Sequence, residues 1–230
     1  VGFLGDSMTD PRRGRGQEHW WSYLRQLIGI EDYVFARSGY RWDKMLPLAE
    51  QMRDSVGTDL AAIFIWCGTN DFNGNKPIGE FFTEATEVVN VNGQDMPRKH
   101  RVWNYTEDTY TGSINRTLRF LKENYPDAQI YIMTPIHRGF ASFNEKNVQQ
   151  DEDYANALGL YIEDYVDVLK LAAAYWSVPV IDLYGESGIY PNLRSNDDMI
   201  AKPDTDRLHP SEAGHYRVAR IIQDRLPDPW

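Results

Sequence analysis

Four short segments carry side chains that could do chemistry together. In Gly5-Asp6-Ser7-Met8-Thr9-Asp10 a serine follows an apolar run. A serine hydroxyl becomes a useful nucleophile only when a base stands within hydrogen-bond reach. Asp206-Arg207-Leu208-His209-Pro210 offers such a base. An Asp three residues ahead of a His can fold back to accept the imidazole Nδ1–H, which leaves Nε2 to take a hydroxyl proton. In Gly68-Thr69-Asn70-Asp71 the Asn70 side-chain amide can donate to a developing oxyanion. In Ser38-Gly39-Tyr40 the glycine lets a backbone N–H come close to a ligand. Each segment alone has a plainer reading: a capping Asp-Ser turn, an incidental ion pair, an ordinary turn, and a glycine after a strand.

Regular elements must hold these segments. Val1–Leu4, Tyr33–Ala36, Leu60–Trp66, Ile130–Thr134 and Val178–Leu183 read as buried strands, being short, apolar and mostly bounded by turn residues. Helical patterns cover Trp20–Ile28, Asp43–Arg53, Thr111–Asn124, Tyr154–Trp176 and Ser211–Leu226. In the fourth, Leu158, Tyr161, Ile162, Tyr165, Val168, Leu169, Ala172 and Ala173 fall at helical spacing and form one stripe. In the last, Ser211 suits the N-cap and Glu212 the positive end of the dipole. Strands alternating with helices predict a parallel sheet covered on both faces, with ligands beyond the carboxyl ends of the strands. Phe72–Asp108 breaks the alternation, and its Asn92-Gly93 pair predicts a hairpin turn. We read one domain over residues 1–230 with an insertion at about 72–108 that walls one side of the pocket.

In their order along the chain, Ser7, Gly39, Asn70 and Asp206 with His209 resemble the SGNH (GDSL-type) hydrolase family. The resemblance runs from residue 5 to Gly214, with Met8 where the commonest motif has Leu. It implies a three-layer α/β/α sandwich with a flavodoxin-like five-stranded parallel sheet, and a carboxylic ester hydrolase without metal or cofactor. It implies Ser7 as nucleophile, His209 as base, Asp206 as its orienting partner, and Ser7, Gly39 and Asn70 as oxyanion donors. The expected substrate is a small or oligosaccharide ester, with acetyl esters of carbohydrate preferred. Longer acyl chains (a lysophospholipase or thioesterase), acyl transfer to an alcohol, and a non-catalytic carbohydrate-binding protein stay open as alternatives.

Trp20, Trp21, Trp42, Trp103, Tyr40 and Tyr105 lie in or beside the loops expected to rim the site. Trp42, Phe72 and His137 are the candidate substrate contacts. His215, inside the last helix, reads as structural or surface. The pairs Asp6/Asp10 and Asp197/Asp198 read as solvated turns, since neither has enough oxygen ligands for a cation. A formal net charge of −10 over 230 residues argues against nucleic acid as a partner. The basic stretches Arg12-Arg13-Gly14-Arg15 and Arg98-Lys99-His100-Arg101 read as solvated loops. Cys67 is the sole cysteine and, beside Gly68 at a strand end, reads as a small core residue. No apolar run approaches the ~20 residues of a membrane span. The chain opens at Val1 inside an apolar run, so a further segment is expected upstream, a removed signal peptide being one candidate, and a secreted or periplasmic setting is slightly favoured over the cytoplasm.

Overall fold

A computed structural model describes residues 1–14 and 16–227. In chain order the elements are β1 (Gly2–Gly5), α1 (Trp20–Ile28), β2 (Tyr33–Ala36), α2 (Met45–Val56), β3 (Ala62–Trp66) and α3 (Thr69–Asn73). There follow β4 (Phe82–Val91), β5 (Gln94–Trp103), α4 (Tyr110–Asn124), β6 (Gln129–Met133), β7 (Ala141–Asn144) and β8 (Asn147–Gln149). The chain then forms α5 (Ile162–Trp176), β9 (Val180–Ile181), α6 (Leu183–Glu186), β10 (Ile200–Lys202), β11 (Asp206–Pro210) and α7 (Glu212–Arg225).

The central sheet has the order β2-β1-β3-β6-β9, and all its strands are parallel. Both of its faces are covered, because successive side chains of a strand point to opposite sides. Leu4, Ile63, Ile65, Ile130 and Ile132 enter one core with Met45, Leu118 and Leu169 of α2, α4 and α5. Phe3, Phe64, Trp66, Tyr131 and Met133 enter the other with Leu24 and Val218 of α1 and α7. Burying a side chain such as Leu118 contributes ~1.5–3 kcal/mol. The result is a three-layer α/β/α sandwich. The strand order reverses direction at β1, so the carboxyl ends of β1 and β3 flank a switch point, where open parallel sheets bind ligands.

The fourth helix differs from its sequence pattern. It starts at Ile162, not Tyr154, and Leu158 and Tyr161 are exposed. Asn156 Oδ1 accepts from the N–H groups of Leu158 and Leu160 at 3.0 and 3.2 Å, an Asx-type turn that competes with helix. Gly159 at φ +74° completes the break. Asp164 then caps the true start by accepting from Tyr161 N at 2.8 Å.

The insertion holds the expected hairpin, longer than expected. β4 and β5 pair along ten residues each, from Phe82↔Trp103 to Val91↔Gln94. Asn92 and Gly93 both have positive φ (53° and 84°), as a two-residue turn of this hand requires. Its position corrects the expectation that the insertion walls the pocket. Phe82 and Trp103 pack against Tyr175 and Trp176, at the end of α5 that leads into β9. That end lies at the amino edge of the sheet, opposite the edge that carries Ser7.

Candidate active site

The turn after β1 sets Ser7. Gly5 is required there, because a Cβ would sit 2.5 Å from Thr9 Oγ1 and 2.9 Å from the Trp66 carbonyl. Asp6 ties the turn together: Oδ1 accepts from Met8 N at 2.9 Å, and the Asp6 carbonyl accepts from Asp10 N at 2.9 Å. Ser7 Oγ stands 2.8 Å from His209 Nε2. Asp206 Oδ1 and Oδ2 lie 2.8 and 3.0 Å from His209 Nδ1. Asp206 Oδ1 also accepts from the N–H groups of Leu208 and His209, so the carboxylate is fixed by its own strand. The three side chains, 202 residues apart in sequence at the extremes, form one hydrogen-bonded line.

Asp206 and His209 sit on β11. It belongs to an antiparallel sheet of order β10-β11-β7-β8 that roofs the catalytic edge. Ser211 caps α7 immediately after it, accepting from Gly214 N at 3.2 Å. His209 is buried, and burial holds its pKa below the ordinary value despite the opposing pull of Asp206; Arg13 adds to the lowering. Burial tends to raise Asp206, but the hydrogen bond and charge of His209 outweigh it and leave the carboxyl below its usual range.

Gly39 and Asn70 flank Ser7. Gly39 has φ +80° with nothing within 4 Å of a notional Cβ, so its place is set by backbone conformation. Asp10 holds the loop before it, Oδ2 accepting from Ser38 N at 2.8 Å and Ser38 Oγ at 3.0 Å. The N–H groups of Ser7 and Gly39 carry no hydrogen bond to a described residue. Asn70 Nδ2 donates to Tyr40 O at 3.0 Å and Asp6 Oδ2 at 3.2 Å, which fixes the direction of the amide. Asp6 and Asp10 are therefore buried positioning acids, not the solvated turns expected. Burial pushes Asp6 up to about 7, against the lowering hydrogen bond from Met8 N–H.

Three candidates do not belong to the site. Trp42 and Phe72 are fully buried in the core below α2 and α4, so they do not touch a substrate. Trp42 binds Asp71 through its N–H and the Cys67 carbonyl through Nε1. His137 pairs with Glu152 at 2.6 Å under Tyr184 and Tyr190 and does not line the cavity beside Ser7. Of the other aromatics, Trp20 is core.

Other residues reach the site unannounced. Arg13, from a stretch expected to be solvated, donates to Asp206 Oδ2 at 2.8 Å and lies 5.4 Å above the Phe143 ring. Arg15 of that stretch lies outside the described residues. Phe143 on β7 sets its ring edge-to-face on His209 at 5.7 Å. Fully buried Arg138 donates to Thr69 O and Oγ1 at 3.2 and 3.1 Å, stacks on Phe72 at 5.2 Å, and so holds the turn that bears Asn70. His215 is buried and lines the cavity. One sequence signal was available: Arg138 directly follows His137 after β6, at the ligand edge.

A cavity of about 410 Å³ opens beside Ser7 and His209. Gln17, Ser142, Phe143, Lys202, Thr205 and His215 are among its lining. A hydroxyl, an imidazole and a carboxylate in line, with two unpaired N–H groups and an oriented amide on adjoining loops, can carry acyl transfer to the hydroxyl. Among the described residues no cluster of His, Cys, Asp or Glu could hold a metal ion. No described helix is long and apolar enough to cross a membrane.

Comparison with known proteins gives the same direction. Residues 3–217 match the GDSL-like lipase/acylhydrolase family. A structure from Lactobacillus plantarum superposes with TM-score 0.75 at 22% identity, covering 98% of this chain and 94% of that one. A possible lipase from Chitinophaga pinensis gives 0.68 at 16% identity, with 97% and 96% covered. A GDSL-like lipase from Bacteroides thetaiotaomicron gives 0.58 at 17% identity, with 98% and 86% covered. At these identities the likeness shows the fold. No curated protein matches the chain in sequence.

Proposed function

The chain belongs to the GDSL-like lipase/acylhydrolase family, and we propose that within it the chain cleaves short acyl esters, chiefly acetyl esters of carbohydrate, through an acyl-enzyme on Ser7. The observation that carries this reading is the cavity at the Ser7–His209 pair. At about 410 Å³ it lies toward the small end of the ~300–1,000 Å³ range of ligand pockets. Gln17, Ser142, Lys202 and Thr205 give it hydrogen-bonding groups, and Phe143 supplies an aromatic ring. Such a lining suits a hydroxylated alcohol better than a long acyl chain, which needs an extended apolar groove.

In this mechanism His209 Nε2 takes the Ser7 proton as Oγ attacks the ester carbonyl. Asp206 holds the imidazole in the Nδ1–H tautomer and stabilises the imidazolium. The carbonyl oxygen, now an oxyanion, accepts from the Ser7 and Gly39 N–H groups and from the Asn70 amide, which gives up its longer bond to Asp6 Oδ2 to do so. His209 returns the proton to the leaving alcohol, then activates water to release the acid and regenerate Ser7.

The test is a profile of 4-nitrophenyl esters from acetate to palmitate, with acetate release from acetylated saccharides. Acetate preferred by at least tenfold over octanoate supports the reading, and a preference for octanoate or longer overturns it. An organophosphonate adduct mapped to Ser7 and absent from Ser7→Ala supports the nucleophile, whereas labelling unchanged in that variant removes it. Product analysis with an added sugar acceptor separates hydrolysis from acyl transfer.

A further inference from the structure

Positive charge gathers in the cavity of a chain whose net charge is −10. Arg13 and Lys202 both line it, and the only carboxylate among its described lining residues, Asp206, is already bound by His209 and Arg13. Arg13 uses Nη2 on Asp206, which leaves Nε and Nη1 without a hydrogen bond to a described residue. Lys202 makes no ion pair with a described residue. Two further lining groups lack partners: the Nδ1 atoms of His19 and His215, both side chains more than nine-tenths buried. A cavity with two incompletely paired cations and no uncommitted carboxylate among its described lining suits a polar anion better than hydrocarbon.

We propose that Arg13 and Lys202 form a carboxylate subsite for the alcohol half of the ester, so that the preferred substrate is an acetylated acidic sugar of the uronic-acid type. This rests on the carbohydrate-ester reading and narrows it. A guanidinium edge accepts a planar carboxylate in two parallel hydrogen bonds, and an ammonium adds a point charge.

The subsite is coupled to the catalytic line. Arg13 Nη2 lies 2.8 Å from His209 Nδ1 as well as from Asp206. Arginine only donates, so this contact is a hydrogen bond only while Nδ1 is bare, and Nε2 then carries the proton toward Ser7 Oγ. The working tautomer puts a proton on Nδ1 for Asp206, and two donors then face each other across 2.8 Å. A substrate carboxylate that draws the guanidinium outward relieves that clash. An acidic substrate therefore gains in kcat as well as in KM.

Two measurements test the subsite. The first is acetate release from an O-acetylated methyl glucuronoside and from the same acetylated methyl glucoside, which replaces the carboxylate by a neutral hydroxymethyl group. One charge-assisted contact predicts a kcat/KM preference of about tenfold or more for the acid. The preference should fall in Lys202→Met, where the guanidinium still holds the carboxylate, and fall further, to within about twofold, in Arg13→Gln. Equal kcat/KM for the two sugars in the wild type overturns the subsite while leaving the carbohydrate-ester reading standing. A preference retained in both Lys202→Met and Arg13→Gln also overturns it. The second measurement needs no turnover: titration calorimetry of the two deacetylated methyl glycosides on Ser7→Ala. Tighter binding of the glucuronoside supports the subsite even if neither ester is cleaved, which would sink the carbohydrate-ester reading alone. Equal binding, or none by either glycoside, overturns the subsite.

Discussion

His215 should make the protein acid-sensitive, and replacing it with Phe should remove a known part of that sensitivity. The imidazole is buried, its Nδ1 has no partner, and its ring meets His19 edge-to-face at 5.1 Å. Burial above all, with His19, His209 and Arg13 adding to it, drives its pKa down to about 3. In the unfolded chain the group titrates near ~6.5. Between these values the unfolded state binds a proton that the folded state refuses, so stability falls as pH falls through that window. At pH 5 the unfolded imidazole lies ~1.5 units below its midpoint, which costs about 2 kcal/mol at ~1.36 kcal/mol per unit. The figure hardly changes for any folded value below ~4, because the folded group is then still neutral at pH 5. His215→Phe keeps a ring of similar size in the space and removes the proton site. The assay is urea unfolding of both proteins at pH 7.5 and pH 5.0. The wild type should lose about 2 kcal/mol more than the variant on acidification, all other titrating groups being common to both. Losses equal to within about 0.5 kcal/mol would refute the reasoning, by showing that His215 is charged or solvated in the folded state.

Asn70→Ala should lower kcat by about 10²–10³ with little change in KM, because the amide strengthens its bond only as the oxyanion forms; a raised KM with unchanged kcat would make Asn70 a ground-state binding group. The acid limb of kcat/KM should have its midpoint below ~6.5, since neutral His209 is the active form and burial extends it to lower pH; a midpoint above that value contradicts the burial of His209. Asp206→Asn should remove most turnover while leaving the urea midpoint at pH 7.5 close to wild type, and near-normal turnover would mean that another group orients the imidazole. Replacing Ala85–His100 by a short turn, with Phe82 and Trp103 kept, should leave acyl and alcohol preferences within about twofold of wild type, because the hairpin stands at the far edge of the sheet; a shifted profile would show that it reaches the substrate.

The parts of this architecture that sequence reveals are those whose geometry is local. Strand β3 announces itself as a short, continuous apolar run, because both of its faces are covered, Ile63 and Ile65 entering one core and Phe64 and Trp66 the other. Asp206 and His209 are three residues apart, and the same short strand fixes both, so their spacing already contains the hydrogen bond. Ser7 and Asn70 follow directly from β1 and β3, whose carboxyl ends the parallel sheet places side by side. The helix stripe from Leu158 failed because Asn156 bonds its own neighbours, a local polar choice that apolar periodicity does not register.

What lies beyond sequence is set by distant packing. Trp42 and Phe72 stand beside catalytic segments, yet an aromatic ring near a site is as readily buried beneath it as exposed above it, and here both lie beneath. Arg13 belongs to a basic run that looks solvated, and only the fold sets it against Asp206, 193 residues away. Arg138 is the sharpest case. An unpaired arginine would be expensive to bury, and the interior here supplies the compensation. Thr69 and Gln149 accept its hydrogen bonds, while Glu152, Asp151 and Asp6 provide opposite charge. Asp6 also accepts from Asn70. The buried cation and the acid beside the nucleophile thus hold the same turn from two sides, one through Thr69 and one through Asn70. An apolar residue in place of Arg138 could fill the space, but it would leave the Thr69 carbonyl and hydroxyl without these bonds. The direction of the Asn70 amide would then rest on Asp6 and the Tyr40 carbonyl alone.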